Sequence, residues 1–244
     1  MTNMLLVDIG NSRIKWALSQ DGMITVQGNH SHEEVTRFSE ALDKLVALDR
    51  IIACNVAGEK GERALGAAIK RWKIAPEWFQ VSKHAGGVTN CYETPERLGA
   101  DRWAALIAAH SMRLGACLVI SLGTAMTIDW LHASGEFAGG MIIPGKRLMS
   151  EALSIGTSKI ARQTGKVVGF SCNTADAVES GLAYALVGAV KQARQKVMDT
   201  SGVIPACLIT GGDGAWLAAM LDFPVTNVPD LVIKGLALMA AKNK

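Results

Sequence analysis

VDIGNSRIKWALSQDG, residues 7–22, runs from an apolar strand end through one glycine turn to another. It decides the fold because it occurs twice. Residues 120–135 read ISLGTAMTIDWLHASG, and at an offset of 113 residues Gly10 falls on Gly123, Asn11 on Thr124, Leu18 on Leu131 and Gly22 on Gly135. Each copy is a strand, a polar position at its end, a glycine turn, a second strand and a second glycine turn. The identities are few, but the register agrees across both turns, which predicts a duplicated unit. In the first copy the polar position is Asp8, an acid at the end of the apolar run Met4–Val7. Such an acid either caps the Gly10-Asn11-Ser12 turn or serves a ligand.

Working outward, Met23–Val26 completes a three-strand meander. Ser31 and Glu34 have capping-box spacing, and Val35, Phe38, Leu42, Leu45 and Val46 follow at helical spacing, predicting a helix to about Asp49. A strand over Ile51–Val56, a helix over Glu59–Trp72 and a strand over Trp78–Val81 make the pattern alternating α/β. Thr94-Pro95-Glu96 opens a helix from about Pro95 to Met112 that carries Gly99-Ala100-Asp101-Arg102-Trp103, with Asp101 beside its apolar face. After the second copy, Gly139–Gly145 leads into a helix through Leu148, Leu153 and Ile155, and residues 162–172 read as a loop or short hairpin. Asn173 caps a long helix toward Met198, a strand over Ala206–Thr210 ends in Gly211-Gly212-Asp213-Gly214, and an amphipathic segment closes the chain from Asp230 to Lys242. No low-complexity linker intervenes, so the expected domains are residues 1–113 and 114–244.

With 244 residues and 49% hydrophobic content, a large core is available. Lys+Arg 25 against Asp+Glu 22, with no long basic run, points away from nucleic acid and from an acidic membrane surface. The five cysteines, at 54, 91, 117, 172 and 207, form no C-x-x-C pair, so neither zinc nor a redox couple is indicated. They read as reduced thiols of a cytoplasmic protein. The apolar run before Asp8 is too short for a signal-peptide core, and the uncharged stretch between Arg113 and Asp129 falls short of a membrane span.

Two small polar turns can clamp a polyphosphate: glycine lets backbone approach phosphate, Asn11, Ser12, Thr124 and Thr127 offer hydrogen-bond donors, and Asp8 can position a hydrated Mg²⁺. There is no G-x-x-x-x-G-K-[ST] sequence, so the turns are not a Walker P-loop. Phosphoryl transfer also needs a carboxylate to orient the acceptor hydroxyl, and Asp101 is the candidate. A salt bridge to Arg102 or to a neighbouring helix would equally account for an acid there.

The set Asp8-Ile9-Gly10-Asn11-Ser12-Arg13-Ile14-Lys15, Asn90-Cys91-Tyr92 with Pro95, Leu98-Gly99-Ala100-Asp101-Arg102, Gly123-Thr124-Ala125-Met126-Thr127, Gly139–Gly145 and Asn173-Thr174 resembles the type III pantothenate kinases. These belong to the acetate kinase, sugar kinase and actin superfamily, and the resemblance covers essentially the whole chain. It implies an α/β fold of two ribonuclease H-like lobes, as in actin-like ATPases, arising by internal duplication with the nucleotide in the cleft between them. It also implies a homodimer that completes the pantothenate pocket, and transfer of the γ-phosphate of ATP to the primary hydroxyl of pantothenate. Carried onto this chain, Asp101 is the general base and contacts pantothenate together with Tyr92, Gly99, Ala100, Arg102 and Thr174. Asp8, Ile9, Gly10, Asn11, Ser12, Arg13, Ile14, Lys15 and Thr124 bind ATP, with Asp8 also near Mg²⁺. Arg102 suits a carboxylate as a bidentate donor, and Tyr92 combines an apolar ring with a hydroxyl.

One position departs from the pattern. The family form is D-x-G-T-A, its acid associated with K⁺ or NH₄⁺, whereas this chain has Ser121-Leu122-Gly123-Thr124-Ala125. A neutral serine predicts weakened or altered cation activation. Two other readings stay open: a nucleotide-binding regulatory or accessory protein with weak or lost catalysis, motivated by Ser121, and a kinase for another small hydroxylated acceptor such as a sugar. Tyr92 with Gly99–Arg102 suits pantothenate, and retention of Asp8, Asp101, Arg102 and Thr124 favours an active enzyme.

Overall fold

The computed structural model describes residues 2–45 and 47–242. The chain forms two compact units: Met1–Arg113 with Gly135–Phe137 and Asp230–Lys244, and Leu114–Ser134 with Ala138–Pro229. The C-terminal segment, expected in the second lobe, therefore belongs to the first unit.

In the first unit, side chains of β1 (Asn3–Ile9) alternate between two cores, as a strand buried on both faces requires. Leu5, Val7 and Ile9 pack with Phe38 and Leu42 of α1 (Val35–Asp43) and with Leu65 and Ile69 of α2 (Glu59–Ile69). Met4 and Leu6 point the other way, against Ala104 of α3 (Ala100–Ser111) and Ile233, Leu236 and Ala240 of α7 (Leu231–Lys242). Asp8 shares the second face by the same period. The sheet is completed by β2 (Arg13–Gln20), β3 (Met23–Ser31), β4 (Arg50–Asn55) and β5 (Glu77–Trp78) in the order β3-β2-β1-β4-β5, with β1 antiparallel to β2 and parallel to β4.

Two local elements differ from their sequence expectation, and one more has no sequence signal. The capping box at Ser31 is half formed: the Ser31 N–H donates to the Glu34 carboxylate at 3.0 Å, but β3 holds Ser31 opposite Arg13, so α1 starts only at Val35 and ends at Asp43. Val46 lies outside the described residues. The helix expected over 95–112 is two pieces, a 3-10 turn at Pro95–Arg97 and then α3, because Leu98 and Gly99 stay extended (ψ 135° and 134°). A hairpin of β6 (His84–Ala85) and β7 (Val88–Asn90), closed by Gly86 and Gly87 at φ +62° and +88°, was not anticipated. Two successive left-handed glycines are the natural two-residue hairpin turn.

α7 lies tightly on α3. A Cβ placed on Gly235 would overlap the backbone of Ala104. Gly235→Ala is expected to push the helices apart and lower stability by about 1–3 kcal/mol, read as a shift of the urea midpoint.

The second unit repeats the first. β8 (Cys117–Leu122) is antiparallel to β9 (Ala125–Leu131) and parallel to β11 (Ala206–Thr210). With β10 (Glu136–Pro144) and β12 (Thr226–Asn227) the order is β12-β11-β8-β9-β10, the same connectivity as β5-β4-β1-β2-β3. Leu118, Ile120 and Leu122 pack with Leu186 and Val190 of α5 (Thr174–Ser201) and Leu217 of α6 (Gly214–Ala218), so Ser121 takes the opposite face, as Asp8 does in its own unit. α4 (Lys146–Gly156) follows β10. The segment over 162–172 is irregular, pinned by Lys166 N–H to Asp176 at 2.7 Å and Val168 N–H to Ser180 Oγ at 2.9 Å. Among the described residues no helix is long and apolar enough to cross a membrane.

Candidate active site

The site in the first unit starts from strand pairing. Asp8 stands opposite Lys15 on β2 and Cys54 on β4, all three on the face that α3 and α7 cover. The Asp8 side chain is buried and its Oδ1 has no hydrogen-bond partner. Burial, then the charge of Asp101, push its pKa up to about 7; Lys15 pulls it down and Asp230 adds to the rise. Burial, then the charges of Asp8 and Asp101, drive the Cys54 thiol well above its ordinary value, so Cys54 stays a neutral packing group. A carboxylate desolvated among other acids, with an unsatisfied oxygen, is poised to take a cation.

Asp101 is the second residue of α3, because the extended Leu98-Gly99 step delays the helix start. Its Oδ1 accepts the Arg102 N–H at 2.8 Å, and burial raises its pKa against the lowering effect of Arg102. Gly99 makes room there: a Cβ would stand 2.6 Å from Asp101 Oδ1 and displace the carboxylate. Arg102 is buried and donates from Nη1 to the Tyr92 hydroxyl at 2.8 Å. Tyr92 stacks on Phe137 with ring centroids 5.5 Å apart, and the guanidinium lies over both rings. The loop that carries Tyr92 is held by Asn90, fully buried, which accepts the Tyr92 N–H at 3.1 Å and donates to the Pro95 carbonyl at 3.0 Å. Tyr92, Gly99, Ala100, Asp101 and Arg102 are thus one cluster.

The expected ATP turn divides by face. Ile9 and Ile14 send their side chains into the core, so only their backbone can face a ligand. Gly10, Asn11, Ser12 and Arg13 form the turn, closed by Gly10 N–H to the Arg13 carbonyl at 2.9 Å, and Arg13 donates to Asn29 Oδ1 at 2.6 Å. Buried His32 contacts the Gly10 carbonyl through Nε2 at 2.7 Å and fixes the turn from behind.

In the second unit, Ser121 stands between Thr127 on β9 and Thr210 on β11. Directly opposed residues share a face, so the position is a row of three neutral hydroxyls; Asp129, two positions along β9 and buried, puts a carboxylate on that face. The Gly123-Thr124 turn receives the N-terminus of α4, with Gly145 N–H donating to the Thr124 carbonyl at 3.0 Å. Thr174 is the first residue of α5, where Asn173 caps by accepting the Asp176 N–H at 2.9 Å. It lines a cavity of about 610 Å³ with Leu153, Ile160, Cys172 and Val178.

Three contributors escaped the sequence reading. Phe137 carried no motif signal. His32 sits just past a strand end with nothing to distinguish it. Asp230 did carry one, an acid immediately before the apolar run Leu231-Val232-Ile233.

A twice-repeated strand order with acids at a strand end and a helix start places the chain among the actin-like ATPase folds. Solved structures agree on the fold. A Campylobacter jejuni protein described as a Baf family transcriptional activator superposes with TM-score 0.64 at 22% identity, covering 98% of each chain. A Sinorhizobium meliloti protein described as a 2-dehydro-3-deoxygalactonokinase does so with TM-score 0.57 at 13% identity, again over 98% of each. The family model for type III pantothenate kinases matches residues 4–196. The type III pantothenate kinase of Aromatoleum aromaticum is 39% identical over 98% of both chains, and that of an Azoarcus species is 40% identical over 98% of this chain and 90% of its own. The chain belongs to the type III pantothenate kinase family.

Proposed function

We propose that the chain phosphorylates the primary hydroxyl of pantothenate with ATP, giving 4′-phosphopantothenate at the entry to coenzyme A biosynthesis, with Asp101 as general base. Family membership makes it a kinase that uses ATP with a divalent metal and acts on pantothenate. The observation that carries the residue assignment is a pair of acids whose pKa values desolvation raises, Asp8 buried with an unpartnered oxygen and Asp101 partly buried at a helix start.

Asp101 takes the proton of the pantothenate hydroxyl as that oxygen bonds to the γ-phosphorus and the bond to the bridging oxygen of ADP breaks. A pKa raised by burial brings the carboxylate closer to working pH, which strengthens it as a base. Arg102 and Tyr92 hold the carboxylate end of the substrate, Gly99 and Ala100 shape the approach, and Thr174 contributes from its own unit. Asp8 is the residue that fits Mg²⁺, because its buried Oδ1 has no protein partner; the ion neutralises phosphate charge when bound. In the first unit the backbone of residues 8–15 is suited to phosphate, with Lys15 supplying positive charge, and in the second unit Thr124 offers a hydroxyl for the same chemistry.

Around Ser121 the directly opposed Thr127 and Thr210 offer hydroxyls without charge, and the buried carboxylate of Asp129 stands two positions further along β9, so a monovalent cation there lacks the adjacent acid of the family form. KCl or NH₄Cl titration of the kinase reaction is expected to give activation weaker than a low-millimolar response, or none; a saturating low-millimolar K⁺ response would contradict this.

A homodimer is part of the proposal, supported by Met141, Ile142, Ile155, Phe170 and Tyr184, apolar side chains that the second unit leaves exposed, Phe170 entirely so. A cytoplasmic location fits five cysteines that remain free thiols. Coupled ATP turnover with and without pantothenate tests the function. Turnover strictly dependent on pantothenate is expected; turnover indifferent to it would refute the assignment.

A further inference from the structure

Asp230 lies beyond the residues that the family model matches, yet it reaches the strand pair that carries Asp8. Its Oδ1 lies 3.2 Å from Lys15 Nζ, with both side chains about three-quarters buried (27% and 25% exposed). Lys15 stands directly opposite Asp8 in the β1–β2 register, but it pairs with Asp230 and leaves Asp8 Oδ1 without a partner. The ammonium is therefore drawn toward the C-terminal helix and off the neighbouring carboxylate.

The position of Asp230 is set by packing. It enters α7 with φ +54°, a left-handed backbone that costs a non-glycine residue free energy and persists only where its surroundings enforce it. Its carbonyl receives the Lys234 N–H at 3.1 Å, closing the first helical turn. The helix is in turn held against α3 by the close approach at Gly235 and by Ile233, Leu236 and Ala240 packed with Ala104 and Leu6. α3 carries Asp101, so the packing of α7 on α3 sets Asp230 and Asp101 relative to one another.

We infer that Asp230 is a positioning residue for nucleotide binding: it tethers the Lys15 ammonium away from Asp8, so that Lys15 meets the phosphates and Asp8 stays open to the divalent metal. The inference rests on the reading of Asp8 and Lys15 as nucleotide residues. Without the tether, the nearest opposed acid on the strand face is Asp8, and an Asp8–Lys15 pair would occupy both groups.

The test is equilibrium binding of ATP to the full chain, in EDTA and in MgCl₂, for wild type, Asp230→Asn, Asp230→Glu, Lys15→Gln and the double variant Asp230→Asn/Lys15→Gln. Asparagine tolerates the left-handed backbone, so Asp230→Asn removes charge with little change of conformation. Asp230→Asn is expected to weaken ATP binding about tenfold in both media, Asp230→Glu to recover most of the loss, and the double variant to bind no more weakly than Lys15→Gln alone. Non-additivity with Lys15 and rescue by glutamate are readouts that a purely structural role would not produce. Asp230→Asn binding within twofold of wild type would overturn the inference, as would a loss of equal size with and without Lys15. Pantothenate is absent throughout, so failure of the kinase assignment leaves the result readable, while a wild-type chain that does not bind ATP overturns the reading of Asp8 and Lys15 itself.

Discussion

Asp8→Asn is expected to melt higher than wild type at about pH 8, to match it at about pH 4, and to have lost its MgATP-dependent activity. The folded-state pKa of Asp8 is about 7 against an ordinary 3.8, so the folded protein holds this proton more tightly than the unfolded chain. Stability is therefore full below about pH 4, falls as pH rises toward about 7, and stays low above it. At about 1.4 kcal/mol per pKa unit, the ionised carboxylate costs on the order of 4 kcal/mol, a cost asparagine does not carry. The same substitution removes the anionic oxygen proposed to meet the metal, and kcat/KM should fall by about 100-fold or more. Urea melts at the two pH values and steady-state assays measure the two halves independently. A variant more stable and less active together would mark Asp8 as a residue kept for function against the interest of the fold.

Asp101→Asn is expected to lower pantothenate-dependent kcat by about 10²–10⁴-fold, the range for loss of a general base, while ATP binds within a few-fold of wild type. Asparagine retains an oxygen able to accept the Arg102 N–H at the start of α3, so the helix start survives and only proton acceptance is lost. Comparing kcat and nucleotide affinity in the same variant separates this role from a structural one. Intact turnover would remove Asp101 from the reaction.

The duplicated strand order was legible because it rests on local signals, glycine turns and period-two alternation, that recur at one offset. Alternation also explains Asp8: Met4, Leu6 and Asp8 share a face, so an acid in line with two buried apolar residues must meet whatever covers that face. The start of α3 was harder to read. Thr94-Pro95-Glu96 is a sound helix opening, and it does form a turn, but Leu98-Gly99 interrupts it. That interruption places Asp101 in a first turn and lets Gly99 make room for its carboxylate.

What sequence spacing does not convey is which distant segments share a core. Asp230 lies 215 positions from Lys15 along the chain, and only the packing of α7 against α3 and β1 brings them to 3.2 Å. The closing segment reads as an amphipathic helix and forms one, but its place in the chain points to the second lobe, because its apolar face has no feature that names its partner in the first unit. Ser121 shows the converse: aligning the two copies located it opposite Asp8 in the repeat, and the strand register then identified Thr127 and Thr210 as its neighbours.

The most direct measurement follows the γ-phosphoryl group of labelled ATP in the presence of pantothenate. The label should appear on the primary hydroxyl of pantothenate, at a rate that collapses in Asp101→Asn while nucleotide binding persists. Label that is never transferred to pantothenate, with ATP still bound by the wild-type chain, would contradict the account.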